Sequence, residues 1–174
     1  MPSTYTLISS NVLSSSAASV TFSAIPATFT DLVLRASTRL DGGAIEGLLS
    51  IELNGATLNI SDTTLTAQYS SGATSYRDSA ASSGYPGWSN DGGSTSNTFA
   101  SVEIYLPNYA SSTQNKQMSS ATAVENNATQ ARGTYGALLV GSNTAITSIR
   151  IGRLTGGSNF VSGSSFYLYG IKSS

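Results

Sequence analysis

"FSAIPATFTDLVLRAST", residues 22–38, decides how the rest of the chain is read. Phe22, Ile25 and Phe29 flank a bend at Pro26. Beyond the bend, Leu32, Leu34 and Ala36 alternate with Val33, Arg35 and Ser37. That is the period-two pattern of a strand with one face on a core. The stretch predicts a turn feeding a half-buried strand over 30–38, and it carries no obvious chemistry. Either residues elsewhere turn such a scaffold into a catalyst, or the scaffold and its surface are what act.

The same pattern recurs on both sides. "TYTLIS" (4–9) is rich in strand formers and runs into a Ser/Asn cluster at 9–16. "ASVTFSAI" (18–25) alternates Val20, Phe22 and Ala24 against Ser19, Thr21 and Ser23. "GLLSIELNGATLNIS" (47–61) reads as a hairpin. Leu49, Ile51 and Leu53 share a face, Asn54-Gly55 offers a type I′ turn, and Leu58 and Ile60 return. "SVEIYLPNY" (101–109) sets Val102, Ile104 and Leu106 against Glu103 and Tyr105 before Pro107-Asn108 ends it. A more polar candidate lies at 115–124, and 134–142, 146–154 and 164–172 complete the series. In the last of these, Phe166, Leu168 and Gly170 oppose Tyr167 and Tyr169. Residues 122–133 tolerate a helix but lack an apolar stripe, and read as a loop or one short turn. Short strands, turn signals and no crossover helices predict an all-β chain. The expected fold is an antiparallel two-sheet β-sandwich, jelly-roll-like, forming a single domain over 1–174.

Composition narrows the chemistry. Charged residues make up 10% of the chain, against about 25% in an average soluble domain. Ser and Thr fill the gap, and the net charge of −1 is far from the high charge of disordered chains. With no histidine, Ser-His-Asp triads, His-ligated metals and a His pH switch are excluded. With no cysteine, so are thiolate catalysis, disulfides and Cys-zinc sites. The N-terminus has no basic, apolar leader, and no apolar run approaches a membrane span. The eight basic residues are dispersed, without the basic stripe a nucleic-acid footprint needs. The expectation is a soluble protein made in the cytoplasm that binds neither nucleic acid nor membrane.

One segment departs from the strand pattern. Residues 70–98 are Ser/Gly-rich yet hold Tyr76, Tyr85, Pro86 and the sole tryptophan, Trp88. They read as one long loop excursion, of a length that tends to be functional or disordered. Tyr76, Tyr85 and Trp88 are its candidate partner-binding residues, because aromatics concentrate at interface hot spots. The alternative is a flap whose aromatics tuck against its own sandwich.

Acids are the remaining candidates for catalysis. Asp41, Glu46, Glu52, Asp62, Asp78, Asp91, Glu103 and Glu125 could in principle pair for glycoside hydrolysis. Glu52 and Glu103 sit on the polar side of alternating strands, where a solvated charge is ordinary. "LDGG" (40–43) and "NDGG" (90–93) lack the spacing of a calcium loop and read as turns. Tyr105, Tyr109, Tyr135, Tyr167 and Tyr169 are expected to cover the core's edges with their hydroxyls at the rim. No catalytic, cofactor-binding or metal-binding residue is assigned, and the chain is not expected to be an enzyme.

Residues 5–39, "IELNG" (51–55), 102–131 and the terminal "SSFYLYGIKSS" (164–174) carry a resemblance. Together they resemble small β-rich virion proteins of tailed bacteriophages, common among phages of aquatic and cyanobacterial hosts. The likeness spans nearly the whole chain and is weakest across 62–100. Its phrases, such as "YLPNYA" and "YLYGI", carry no mechanism. What the resemblance implies is a virion structural role: a capsid decoration (cement) protein bound to the major capsid protein on the outer surface of the head. A homo-oligomer goes with it, a trimer ahead of a dimer. The alternative is a tail-fibre or receptor-binding protein that meets host surface glycans.

Overall fold

The structure, a computed structural model, describes residues 4–55, 59–69, 71–127 and 130–172. Twelve strands occur among them: β1 (Tyr5–Val12), β2 (Ser19–Phe22), β3 (Asp31–Thr38), β4 (Glu46–Leu53), β5 (Ile60–Gln68) and β6 (Gly72–Ala81). The second half adds β7 (Trp88–Asn90), β8 (Ala100–Leu106), β9 (Lys116–Val124), β10 (Arg132–Val140), β11 (Ile149–Arg153) and β12 (Ser165–Ile171). They form an eight-stranded sheet, β1-β12-β3-β8-β9-β10-β5-β6, and a four-stranded sheet, β2-β11-β4-β7. Every pairing of strands is antiparallel. The chain is all-β, a sandwich of two sheets of unequal width.

The opening stretch behaves as its alternation predicts. Leu32, Leu34 and Ala36 of β3 are buried in the core, and Arg35 is exposed. Val33 is buried as well, on the outer face, because its register partners on either side are Tyr105 and Tyr169. Leu49, Ile51 and Leu53 of β4, Ile149 and Ile151 of β11, and Val20 and Phe22 of β2 supply the facing layer. Phe160 and Phe166 meet edge to face with centroids 5.0 Å apart. Fully burying one such side chain stabilises the fold by roughly 1.5–3 kcal/mol relative to leaving it in water. Ala24, read as an inward position, is exposed and takes a positive φ of 53° at the bend.

The 47–61 hairpin is corrected. Asn54 and Gly55 do take the positive φ values of a type I′ turn, 57° and 62°. Yet β4 pairs with β11 and β7, whereas β5 pairs with β10 and β6. The turn is a corner between sheets. Asn54 explains why: its Oδ1 accepts from the Thr147 and Ser148 amides at 2.8 and 3.2 Å, and its Nδ2 donates to the Ala145 carbonyl at 2.9 Å. That grip ties the corner to the segment before β11 and leaves the returning chain free to join the other sheet. Leu58, read as part of the return, lies outside the described residues.

The long loop over 70–98 is also corrected. Residues 72–81 form β6, the edge strand of the wide sheet, and 88–90 form β7. Ser and Thr suit a solvent-facing edge, where β-branched and hydroxyl side chains are tolerated and no core face is needed. The "LDGG" and "NDGG" turns, far apart in sequence, meet. A Cβ on Gly92 would stand 2.1 Å from the Gly42 carbonyl oxygen, so the approach requires glycine. Asp91 is buried there, with Arg153 at 3.4 Å.

Candidate functional site

The two sheets do not cover each other evenly. Along β9, β10 and β5 the inner face is apolar at Met118, Leu138, Val140 and Ile60, and then changes character. Ser120, Thr122, Thr134, Thr64 and Thr66 continue it as a buried seam of hydroxyls. Thr66 and Thr134 bond to each other at 3.2 Å, and the Trp88 amide donates to Thr122 Oγ1 at 3.3 Å. Past this seam β6 extends beyond the narrow sheet. The gap between its inner face and the edge of the narrow sheet is an open cleft of about 640 Å³. Small-ligand sites occupy roughly 300–1,000 Å³.

Tyr76, Tyr85 and Trp88 all line this cleft. Tyr76 stands on β6 opposite Thr64 and is 59% exposed. Tyr85 and Trp88 are half-buried and meet edge to face, with centroids 6.3 Å apart and planes at 80°. Trp88 opens β7 as the register partner of Leu48, which lines the cleft beside it. The guanidinium of Arg132 lies over the indole, 3.9 Å from its centroid. Arg132 is held in turn by Glu46, whose Oε2 accepts from its Nε at 2.9 Å. Burial pushes the Glu46 carboxyl above its usual range, against the pull of Arg132. Arg132 thus covers one face of Trp88, whose indole N–H is buried and whose remaining exposed part lines the cleft.

Of the eight acids weighed from sequence, Asp62 and Asp78 come together here. They are register partners on β5 and β6, and both line the cleft. Side chains of such antiparallel partners stand on one face with Cβ atoms about 5 Å apart. The pairing slips by one residue between Ile60 and Asp62, an irregularity beside the site. Asp62 is buried and its carboxyl is raised by that burial; the Tyr85 amide opposes the rise and Asp78 adds to it. Tyr85 is raised too, by burial first, so its phenol stays protonated. Arg77, on the same strand, lines the rim.

The other acids are engaged elsewhere. Glu52 pairs with Arg150 at 2.5 Å and Glu103 with Arg35 at 2.8 Å, both on outer faces as the alternation implies. Asp41 accepts from the Asn159 amide at 2.7 Å, and Glu125 from the amides of Asn126 and Asn127. Among the tyrosines, Tyr105 donates to Asp31 at 2.8 Å, while Tyr109 is buried in the core with its hydroxyl on the Pro26 carbonyl. Tyr135 is 58% exposed, on the outer face of β10 rather than at a core edge.

No family model and no curated protein matches the chain. Two solved structures show faint likeness. One is a GH43 glycoside hydrolase engineered for both endo-xylanase and exo-arabinofuranosidase activity: 8% identity, 97% of this chain and 36% of that one, TM-score 0.34. The other is the Clostridium perfringens CspB protease: 11% identity, 89% of this chain and 26% of that one, TM-score 0.21. The chain spans about a third of the first and a quarter of the second. At these scores neither likeness carries an argument.

Proposed function

We propose that the chain is a bacteriophage virion structural protein that works by adhesion. Its first role is capsid decoration: it binds the major capsid protein on the outside of the head as a homo-oligomer, a trimer ahead of a dimer. It is made in the host cytoplasm and displayed on the particle, with no catalytic role and no affinity for nucleic acid or membrane. The observation that supports this is the outer face of the wide sheet at β5 and β10. There the usual alternation is reversed, with Thr64, Thr66 and Thr134 inside and Leu65, Tyr135 and Leu139 outside. Leu65 and Tyr135 are direct cross-strand partners, 56% and 58% exposed. Large apolar side chains turned outward in this way are what a shell or a sister subunit would cover. Mixing the purified protein with expanded capsids that lack it tests the role. Saturable binding at a stoichiometry matching capsid symmetry is expected, and absence of binding ends it.

A second reading, a tail-fibre or receptor-binding protein meeting host surface glycans, is favoured by the cleft that gathers Tyr76, Tyr85 and Trp88. Excess free protein should then block adsorption of phage to host cells.

A further inference from the structure

We propose that the cleft between β6 and the narrow sheet is a binding site for a short, neutral oligosaccharide. Its pyranose rings stack on Tyr76, Tyr85 and Trp88, and its hydroxyls donate to Asp62 and Asp78. The inference deepens the second reading above and rests on it for biological context, but its chemistry comes from the cleft alone.

A pyranose has two kinds of surface: a flat face of C–H groups and an equator of hydroxyls. The C–H face needs an apolar, electron-rich partner, which the face of an aromatic ring supplies. Here three aromatic residues from three segments line one open space. Trp88 is kept in place by Arg132 and edge-on by Tyr85, so little ordering remains for binding to cost. The hydroxyl equator needs acceptors, and carboxylates accept more strongly than neutral groups. Asp62 and Asp78 stand side by side on the floor formed by β5 and β6. Asp62 is fixed by burial and by the Tyr85 amide, a positioned acceptor in place of a mobile surface acid.

Charge selects among ligands. The two carboxylates outweigh Arg77 at the rim by one negative charge, so the cleft repels anions, while Arg77 opposes cations at its entrance. A polyanion meets two like charges and a polycation meets Arg77, whereas an uncharged, hydroxyl-rich molecule meets neither penalty. Leu48 and Leu154 complete an apolar wall suited to the C–H face rather than to a fully solvated ion.

The sole tryptophan sits in the cleft and makes the test direct. The full chain is titrated with lactose, maltose, cellobiose and N,N′-diacetylchitobiose while Trp88 emission is followed. At least one should give a saturable change with a dissociation constant on the order of 1 mM or tighter. Tyr76→Ala, at an exposed position whose loss leaves the core untouched, should weaken that binding about tenfold. Tyr76→Phe should retain it. Silence across all four sugars would overturn the proposal, as would equal binding by Tyr76→Ala, tighter binding of 3′-sialyllactose than of lactose, or cleavage of the sugar. Protein that blocks phage adsorption yet binds no sugar sinks this inference and leaves the receptor reading intact. Sugar binding without adsorption block does the reverse.

Discussion

The two ends of the inner face of the wide sheet obey different rules. Under the narrow sheet, β3, β8 and β12 offer Leu32, Leu34, Val102, Ile104, Leu106, Phe166 and Leu168, all buried. At the other end β10 and β5 bury Thr64, Thr66, Thr134 and Asp62 and turn Leu65 and Tyr135 outward. The first end is a core whose removal from water drives folding. The second buries groups that cost free energy unless hydrogen-bonded, and it leaves aromatic and aliphatic surface exposed. Such surface adds little to folding beyond its cross-strand pairing. Folding belongs to the first end, and the adhesion proposed above is assigned to the second.

The comparison is broken most sharply by Leu34→Ala. Leu34 is fully buried, and truncating such a leucine costs about 4 kcal/mol through lost transfer energy and the cavity left behind. Thr64→Val, at an equally buried position of the other end, removes a hydroxyl that has no protein partner and should not destabilise. Urea unfolding measures both. Equal losses would mean that the hydroxyl seam is as much a part of the core as β3.

Arg132→Ala comes next. It strips Trp88 of its stacked guanidinium and leaves Glu46 buried without its partner. Breaking a buried pair by removing one member costs about 3 kcal/mol or more. The emission spectrum of Trp88 should shift as the ring loses its support. A stable variant with an unchanged spectrum would show that Arg132 does not hold the cleft.

How legible these ends were follows from the same contrast. β3, β8, β11 and β12 could be read because one face of each is apolar and the other polar, so period two is visible in the letters. β5 was missed because its buried positions beyond Ile60 are an aspartate and two threonines while the apolar Leu65 faces out, and β6 because its residues from Gly72 to Ser79 are all exposed and show no apolar face. Periodicity with the sign reversed looks like a loop. Asn54-Gly55 announced its turn correctly, but strand partners are chosen by distant contacts, here the hydrogen bonds of Asn54 to residues 145–148. The site was half visible. Tyr76, Tyr85 and Trp88 stood out by residue type in a polar stretch. Asp62, Asp78 and Arg132 join them through antiparallel register and sheet packing, which no spacing in the sequence encodes.

Asp62→Asn sharpens the comparison through pH. Burial favours the neutral carboxyl, raising it from its ordinary 3.8. Below that value both folded and unfolded states hold the proton, and burial of the charge costs nothing. As pH climbs toward the raised folded value, the unfolded chain ionises first and the native state loses stability relative to it. Asparagine escapes this while its amide oxygen still accepts from Tyr85. The variant should therefore melt near the wild type at pH 3 and increasingly above it as pH rises, until the folded carboxyl has ionised and the difference levels off, by differential scanning fluorimetry. A difference that does not change with pH would mean that Asp62 is solvated and not part of a desolvated floor.

The smallest effect on folding is expected at the outward apolar pair. Leu65→Ser with Tyr135→Ser removes two large side chains that are each more than half exposed, from strands whose ladders are unaffected. Surface substitutions of this kind stay within about 0.5 kcal/mol per site, and serine remains acceptable on a solvent-facing strand position. If the pair belonged to folding, its loss would lower the unfolding midpoint as Leu34→Ala does. If it belongs to assembly, the midpoint holds while sedimentation velocity moves from an oligomer toward a monomer. A double variant that keeps both its midpoint and its sedimentation profile would remove the outer face of β5 and β10 from the adhesive surface. The cleft on the opposite face would then be the recognition surface that remains.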